Sequence, residues 1–400
     1  MSMPSEPLVT AIVLGTFGLL FVRKIGLYPL SRSITAAVGA VVVILIGAIS
    51  PSKALASIDA GTILLLFGML AHVEALAQSG FYGWAATQLV QRTGTPRRLT
   101  LGALGLSAAM SAVALNDATV ILLTPVLIQA VRGADLDPVP PLVAVVLGAN
   151  IGSLATPLGN PQNAYILSHS PLTTVKFVRV LAPVAVLGLG IAGVMMFPLT
   201  DGRSFSIELS APDLDRAWAV SSGGFLLLTV VLLAALPGVN PGVIAASIGV
   251  LHIAWVQLFR RVPGNEILGH IDWDIIVLFV GIFVLVGGLE GTVLVRTLET
   301  FTQGWPLAGA TFVLSNLMSN VPAVVLLSTA ITDQQGWYIL AAVSTLAGNA
   351  TPIASAATLI VLDQTSRNGV TISVRRLIRI GLPVAVVTSV AAVIVIQYLM

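Results

Sequence analysis

Apolar runs recur along the whole chain, and most of them approach the length of about 20 residues that crosses a lipid bilayer. A soluble protein with an unusually apolar core is excluded, because such a core does not need so many separate runs of this length. Windows of about 19 residues predict two sets of five spans: 7–22, 33–50, 60–77, 140–168 and 181–199, then 222–237, 240–258, 273–291, 337–363 and 378–399.

A further apolar stretch lies between the third and fourth span of each set, at 98–132 and 306–331. Each has polar residues in its middle, Asn116-Asp117 in the first and Ser319-Asn320 in the second. We therefore predict that each stretch folds into two short arms that enter and leave the membrane on the same side. Such a hairpin does not change the number of crossings, so five spans per half place the second half upside down relative to the first.

Three short motifs recur in the same order in both halves, as weak internal repeats of transporters often do. The predicted fold is an all-α polytopic membrane protein made of two inverted repeats of five spans, each with a re-entrant helical hairpin and a broken helix. The first repeat is placed at 1–200 and the second at 222–400, with a cytoplasmic linker at 201–221. The paired motifs are Ile58-Asp59 plus Gly68 with Ile271-Asp272 plus Gly281, Ser111 to Thr124 with Ser315 to Ser328, and Thr156-Pro157 with Thr351-Pro352.

Charge placement predicts the orientation in the membrane. Only 9% of the residues are charged and 56% are hydrophobic, whereas about a quarter of a soluble domain is charged. With both termini outside the cytoplasmic membrane, the Lys and Arg residues fall mainly on the cytoplasmic side, as the positive-inside rule requires. Four lie outside (Lys53, Lys176, Arg179 and Arg296), and fifteen lie inside: Arg23, Lys24, Arg32, Arg92, Arg97, Arg98, Arg132, Arg203, Arg216, Arg260, Arg261, Arg367, Arg375, Arg376 and Arg379.

Several functional classes are disfavoured by what the sequence does not contain. There are no cysteines, hence no disulfide framework and no thiolate metal site. We find no metalloprotease, serine-hydrolase or P-loop signature and no pair of intramembrane aspartates, so neither enzyme activity nor a cofactor is expected. No basic arm suggests nucleic acid. A passive channel is the alternative to a transporter. Flux that saturates and is coupled to an ion gradient would indicate a transporter.

Proline interrupts the fourth span of each half in the middle of the membrane. Pro157 and Pro161 remove helix donors and should unwind the chain, and backbone freed in this way persists only where protein or a wet cavity satisfies it. Two hairpin tips and two broken helices then give four half-helix ends that can hold an ion or solute. The alternative is that the prolines only kink the spans and the amides only join helices. The predicted binding residues are Asn116, Asp117, Thr156, Asn160, Asn163, Ser319, Asn320, Asn349, Thr351, Ser355 and Thr358.

Asp117 is the predicted proton-coupling residue, because a carboxylate inside the membrane is costly unless it is paired, solvated or protonated. No Lys or Arg is expected near the cavity. A helix cap at the hairpin tip is the alternative role for Asp117. Other ionisable residues receive structural or interfacial interpretations: Asp59, Asp272 and Asp274 at span starts, His72 packed in a span, His169, His252 and His270 near boundaries, and Glu74 and Glu290 late in spans, with a proton relay as their minor alternative.

The polar motifs resemble those of the ion transporter superfamily, which holds arsenite/antimonite permeases, NhaD-type sodium/proton antiporters and divalent-anion/sodium symporters. The motifs are Leu115-Asn116-Asp117-Ala118-Thr119, Gly159-Asn160-Pro161-Gln162-Asn163 and the segment from Thr351 to Thr358. The resemblance implies a scaffold domain and a moving transport domain, an elevator-like motion and a homodimer. For some arsenite permeases it also implies an ATPase subunit.

The hairpin tips separate the members of this superfamily. Divalent-anion members carry Ser-Asn-Thr at both tips, whereas this chain has Leu115-Asn116-Asp117 and Ser319-Asn320-Val321. Asn-Asp at the first tip resembles the arsenite-permease pattern. The expected function is proton-coupled export of arsenite or antimonite, recognised without thiolates as a neutral hydroxyl-bearing molecule. The alternatives are a sodium/proton antiporter and a sodium-coupled symporter of sulfate or a di- or tricarboxylate, with H⁺ or Na⁺ as the coupling ion.

Three segments that follow spans mix aromatic, basic and apolar positions, a composition typical of helices at the membrane interface. They are Phe81 to Gln91, Thr173 to Arg179 and Thr292 to Phe301. Ordinary connector helices are the alternative interpretation.

Overall fold

The structure, a computed structural model, describes residues 4–20, 22, 24, 25, 28–207, 209, 210 and 212–400; Arg23 of the predicted cytoplasmic cluster lies outside them. The first half contains α1 Glu6–Leu19, α2 Arg32–Leu45, α3 Pro51–Ala56, α4 Ala60–Gln78, α5 Phe81–Thr93, α6 Pro96–Val113, α7 Asn116–Gly133, α8 Val139–Ser153, α9 Pro161–His169 and α10 Thr174–Met196, followed by a 3₁₀ turn, Phe197–Leu199. The second half contains α11 Arg216–Ala235, α12 Pro241–Phe259, α13 Gly264–His270, α14 Trp273–Gly287, α15 Val293–Leu298, α16 Gly304–Met318, α17 Asn320–Ser328, α18 Gln334–Ala347, α19 Ala356–Arg367 and α20 Val374–Leu399. Two short strands, β1 Lys24–Ile25 and β2 Tyr28–Pro29, pair antiparallel between α1 and α2.

The helices of the second half repeat the order of the first, helix for helix. The two halves also exchange partners, because α4 packs on α12 while the corresponding α14 packs on α2. The hairpins α6–α7 and α16–α17 pack on the broken helices that follow them, and α10 packs on α20. The predicted fold class, an all-α protein of two repeats with a hairpin and a broken helix each, is confirmed.

Two groups of helices follow from these contacts. We call α1, α2, α4, α11, α12 and α14 the scaffold group, and α6–α10 with α16–α20 the hairpin group. Among the described residues, five helices are individually long and apolar enough to cross a membrane, namely α4, α10, α11, α12 and α20; a sixth candidate is the pair α13 and α14, which is bent by 56°. The other predicted spans consist of shorter helices, among them the broken pairs α8–α9 and α18–α19.

Some predicted boundaries differ from the observed helices. The residues from Thr173 to Arg179 do not form a separate interfacial helix, because the Thr173 hydroxyl caps α10 and the helix then runs unbroken through Pro183. The other two predicted interfacial segments correspond to α5 and α15. Within the segment predicted as a linker, α11 already begins at Arg216, since Asp215 accepts a hydrogen bond from the Trp218 amide and starts the helix there.

The recurring glycines of the Ile-Asp motif lie where the two halves exchange helices. A Cβ on Gly68 of α4 would meet the Ala245 carbonyl of α12, and a Cβ on Gly281 of α14 would meet the backbone of Ala36 in α2. Small residues are what allow membrane helices to approach so closely. The motif found in the sequence therefore marks the two crossings that join the repeats.

We expect Gly68→Leu to push α4 away from α12 and to destabilise the folded protein by at least about 3 kcal/mol, since overpacking alone costs roughly 1–3 kcal/mol and here the obstacle is backbone. Gly15→Leu in α1 is the matched control, because a Cβ there meets nothing within 4 Å. Thermal unfolding in detergent measures the difference. Equal melting temperatures for the two variants would contradict this account of the crossing.

Candidate functional site

The two hairpin tips are tied to the two helix breaks by equivalent hydrogen bonds. In the first half, the Asn116 amide at the start of α7 donates to the Gly159 carbonyl at 2.9 Å. In the second half, the Asn320 amide at the start of α17 donates to the Ala354 carbonyl at 3.3 Å. Ser319 forms the second tip with a φ of 73°, a left-handed conformation that is uncommon outside glycine. Each break thus receives the tip of its own hairpin.

Threonine hydroxyls brace the same junctions. The Thr156 hydroxyl donates to the Ala112 carbonyl in α6 at 2.5 Å, and the Thr351 hydroxyl donates to the Asn316 side-chain oxygen in α16 at 2.8 Å. Both threonines precede the proline of their break. The predicted residues Thr156 and Thr351 therefore hold the hairpins against the broken helices, and neither lines the cavity between the tips and the breaks.

Two further predicted residues shape the first break. Asn160 caps α9 by accepting from the Asn163 amide at 2.8 Å, and its Nδ2 donates to the Ser153 hydroxyl at 2.9 Å and the Thr345 hydroxyl at 3.3 Å. The Asn163 Nδ2 donates to the Ser153 and Thr156 carbonyls, which the break leaves without helical partners. Both asparagines are fully buried and act on the backbone.

Asn150, in the last turn of α8, joins the two halves. Its Nδ2 donates to the Asn349 Oδ1 at 2.9 Å, and its Oδ1 accepts from the Asn116 Nδ2 at 3.0 Å and the Ser355 hydroxyl at 3.2 Å. Asn150 is 1% exposed. The predicted set lacked this residue, although its position in the polar break segment 150–163 was a usable signal.

A cavity of about 740 Å³ lies where the tips and breaks meet. Five of the predicted residues line it: Asn116, Asp117, Ser319, Asn320 and Ser355. Asn160, Asn163, Asn349, Thr156 and Thr351 stand behind them, and Thr358 is buried in α19 away from the cavity wall. Gln162, at the start of α9, lines the cavity and was not predicted.

The expectation that no basic residue lies near the cavity is wrong. Arg32 and Arg367 both line it, and the Arg32 Nη2 donates to the Ser319 hydroxyl at the second tip at 3.4 Å. Arg32 begins α2, whose start packs close to the hairpin group in space although it is far away in sequence. Arg32 and Asp117 line the same cavity. Basic residues at the ends of helices are common in membrane proteins. The position of Arg32 in the sequence therefore did not indicate that it lines the cavity.

Acidic residues outnumber the basic ones in the cavity. Asp117, Asp272, Asp274 and Asp363 line it together with the two arginines. Asp363 is paired with Arg367 at 2.9 Å one helical turn away, and Asp274 accepts from the Ser33 hydroxyl at 2.7 Å. Asp272 and Asp274, interpreted as structural from the sequence, thus face the cavity as well as starting α14. Within the described part of the chain no helix-capping bond of Asp117 is found, so the capping alternative has no support in the geometry.

In the part of the chain that the structure describes, the two tips and the first break hold buried side-chain oxygens without partners. The side-chain oxygens of Asn116, Asn163 and Asn320 are buried and, among the described residues, accept no hydrogen bond. A buried acceptor without a partner costs about 1–3 kcal/mol. Of these three residues, Asn116 and Asn320 line the cavity, and their oxygens suit a hydroxyl donor or a cation. The Asn349 Nδ2 is a buried donor without a partner among the described residues, but Asn349 does not line the cavity.

The remaining histidines and glutamates lie away from this cavity. The sequence predicts His252 near a span boundary, but the residue is fully buried within α12. Its Nδ1 lies 3.0 Å from the His72 Nδ1. The interpretation missed this pair because α4 and α12 come from different halves. Glu74 accepts from the Gln78 side chain at 2.9 Å, and Glu290 is exposed after α14. Neither glutamate lines the cavity.

Comparison with known proteins places this arrangement in a family. The family model described as "CitMHS: Citrate transporter" matches residues 17–347. The chain belongs to this citrate transporter family. The family is part of the ion transporter superfamily, which confirms the resemblance found in the hairpin and break motifs.

Related proteins carry transporter names. The chain is 29% identical over 379 residues to an uncharacterized transporter of Mycobacterium tuberculosis, covering 86% of each chain. It is 26% identical over 452 aligned positions to a silicon efflux transporter of Oryza sativa subsp. japonica, covering 92% of each. Among solved structures, the YdaH transporter of Alcanivorax borkumensis shares the fold, with a TM-score of 0.55 and 14% identity over 98% of this chain and 97% of that one. This chain is therefore a multi-pass membrane transporter.

Proposed function

We propose that this member of the family exports a small, neutral, hydroxyl-rich solute in exchange for protons. Arsenite and antimonite, as their neutral hydroxy acids, are the first candidates. The observation that carries the proposal is the cavity wall, where one carboxylate, Asp117, stands at a hairpin tip among amide and hydroxyl groups. The rice relative is named for silicon efflux. Silicic acid is a neutral hydroxy acid and thus a solute of the same chemical kind.

The charges of the cavity argue against a multiply charged anion. Four carboxyl groups and two guanidinium groups line it, and one guanidinium, that of Arg367, is already paired with Asp363. A di- or tricarboxylate would enter a site in which negative groups are in excess, and like charges at close range are costly. A neutral hydroxyl donor instead satisfies the free carboxamide oxygens of Asn116 and Asn320.

Asp117 supplies the coupling in this proposal. In the state open to the cytoplasm Asp117 releases its proton, and a hydroxyl of the solute donates a hydrogen bond to the ionised carboxylate while the polar groups of the tips hold the rest of the solute. After the hairpin group has moved, Asp117 takes a proton from the other side and the solute leaves. The ionised carboxylate crosses outward with a hydroxyl of the solute as its hydrogen-bond partner, whereas on the empty return it has no such partner and must be neutral. The return therefore carries a proton inward, and solute and proton move in opposite directions.

The predicted orientation is consistent with contacts between distant segments. Arg132 donates to the Asn368 carbonyl, Arg97 donates to the Thr200 carbonyl, and Arg376 pairs with Asp137. All of these segments are predicted to be cytoplasmic. Arg32 and Arg367, which line the cavity, belong to the same predicted side. We therefore infer that the protein lies in the inner membrane with both termini outside and that the cavity opens toward the cytoplasm.

Proton movement in everted vesicles tests the function directly. An acridine dye reports the collapse of a pre-formed proton gradient when arsenite, antimonite, silicic acid, sodium, sulfate or citrate is added separately. We expect dequenching that saturates with a neutral hydroxy acid and is lost with empty vesicles. Dequenching with citrate or sulfate alone would contradict the proposal, and a nonsaturating flux without proton movement would indicate a channel.

Sodium/proton exchange is the second candidate. The free oxygens of Asn116 and Asn320, which line the cavity, are hard oxygen ligands of the kind that small cations prefer. In the same assay, dequenching with sodium but not with hydroxy acids would select this alternative. A homodimer and an ATPase subunit, which the resemblance implies, remain predictions.

A further inference from the structure

A second cluster of titratable residues lies apart from the cavity, between the scaffold and hairpin groups. Asp59, just before α4, accepts from the Thr62 amide at 2.7 Å and from the Ser168 hydroxyl at 3.0 Å. Its other oxygen lies 3.3 Å from the Nδ1 of His169, the last residue of α9. The side chain of Asp59 is 18% exposed and that of His169 is 49% exposed, so the pair reaches the protein surface.

The junction between α4 and α9, where Asp59 meets His169, is closely packed and therefore closed. α4 packs directly along α9, and the His169 ring stacks on Tyr165 at 5.0 Å between ring centroids and meets the Trp337 ring edge-on at 6.1 Å. The Tyr165 hydroxyl lies 2.7 Å from the Ser328 hydroxyl of α17. The end of α9 is therefore held both by the scaffold group and by the second hairpin.

The corresponding junction of the other repeat is open. Asp272, the counterpart of Asp59 in the Ile-Asp motif, faces the cavity, and the end of α19, with Ser366 and Arg367, lines the same cavity. α14 and α19 thus stand apart where α4 and α9 touch. Two repeats of one design are present in two different states, closed at Asp59 and open at Asp272.

We propose that Asp59 and His169 form a proton-binding site that latches the outer side of the transporter. A proton bound by His169 gives it a positive charge, which strengthens its attraction to ionised Asp59 and holds α9 against α4. Loss of that proton removes the ion pair and leaves only a hydrogen bond between the neutral imidazole and the ionised Asp59. This favours opening of the outer side, with closure of Asp272 against the end of α19. Acidity outside therefore favours the state in which the cavity is open to the cytoplasm.

The groups that pack around Asp59 and His169 are not expected to contribute to the pH response. On α9 the neighbouring titratable group is Tyr165, and its hydroxyl is bonded to Ser328. The other elements packed there contribute Asn240 at the start of α12, Ser328 of α17 and Trp337 of α18, none of which gains charge between pH 5 and 8. The proposal therefore places the pH response on the contact between Asp59 and His169.

Cysteine labelling tests the latch without any transported solute. Because the chain has no cysteine, Ser366→Cys places a single thiol on the open cavity wall. In everted vesicles, a membrane-impermeant maleimide reaches this thiol from the bath while the lumen, equivalent to the outside, is set to pH 5.5 or 7.5. We expect labelling to be faster at the lower lumenal pH by roughly two- to fivefold, the range that partly exposed ion pairs provide.

Variants decide between the latch and a general effect of pH. His169→Gln and Asp59→Asn should remove the dependence on lumenal pH, and His169→Lys should keep labelling fast at both values. His270→Gln and Asp333→Asn are the matched controls: His270 bonds the Glu266 carbonyl within α13, and Asp333 caps α18 as Asp59 caps α4. Both controls should retain the response of the parent.

An unchanged pH response in His169→Gln would overturn the latch, and so would its loss in His270→Gln. Labelling of His169→Gln at the parent's rate at pH 7.5 shows that this variant is folded. The inference rests on the two-group motion of the proposed function, but it needs no knowledge of the solute. A latch without proton-coupled flux in the dye assay would therefore contradict the proposed function alone.

Discussion

Asp117→Asn is expected to reduce solute-driven proton movement to the background of empty vesicles while the protein remains folded. Asparagine has nearly the shape of aspartic acid. The start of α7 should therefore persist, and so should the hydrogen bond from the Asn116 backbone amide to the Gly159 carbonyl. What is lost is the carboxyl proton, which no neighbouring amide can carry. Asp117 stands alone among the acidic residues at the hairpin tips, because the corresponding position of the second hairpin is Val321.

The measurement is dye dequenching by the active solute in everted vesicles, together with thermal unfolding of the purified variant. Asp363→Asn is the matched control, because Asp363 lines the same cavity but is paired with Arg367. We expect this control to keep most of the parent response. If Asp117→Asn exchanged protons as the parent does, the coupling site would have to be another carboxylate of the cavity, with Asp272 the next to test.

The spans, hairpin tips and breaks could be predicted because their signals are local. An apolar run of the right length, a polar pair in its middle and a proline inside a span each act on the backbone where they occur. Gly68 and Gly281 were found as a repeat, but their purpose, the crossing of α4 with α12 and of α14 with α2, needs both halves in space. The similarity between the two halves located Gly68 and Gly281, but it did not show which helix each glycine contacts.

The composition of the cavity could be predicted only in part, for the same reason. Asn116, Asp117, Ser319, Asn320 and Ser355 reach it from the tips and breaks themselves. Arg32 reaches it from the start of α2, and His252 meets His72 across the boundary between the repeats. Such contacts depend on how remote helices cross, and no local pattern of apolar and polar residues encodes that crossing.

Asn150→Leu is expected to cost about 2 kcal/mol of folding stability and to stop transport. The substitution removes the partner of the Asn349 Oδ1, the Asn116 Nδ2 and the Ser355 hydroxyl at once. A buried polar group left without a partner costs about 1–3 kcal/mol, but hydrogen bonds between membrane helices average only about 0.6 kcal/mol. Asn116 and Ser355 line the cavity and can turn to water, so most of the cost falls on Asn349.

Thermal unfolding in detergent and dye dequenching measure the two effects separately. Thr388→Val is the matched control, since the Thr388 hydroxyl is equally buried but bonds the Val384 carbonyl of its own helix. It should lose less than about 1 kcal/mol and keep transport. Because Asn150 connects the tip of the first hairpin to the break of the other repeat, its loss should uncouple the two halves of the site even where the fold survives. A destabilised Asn150→Leu variant that still transports at the control's rate would reduce this residue to a packing role.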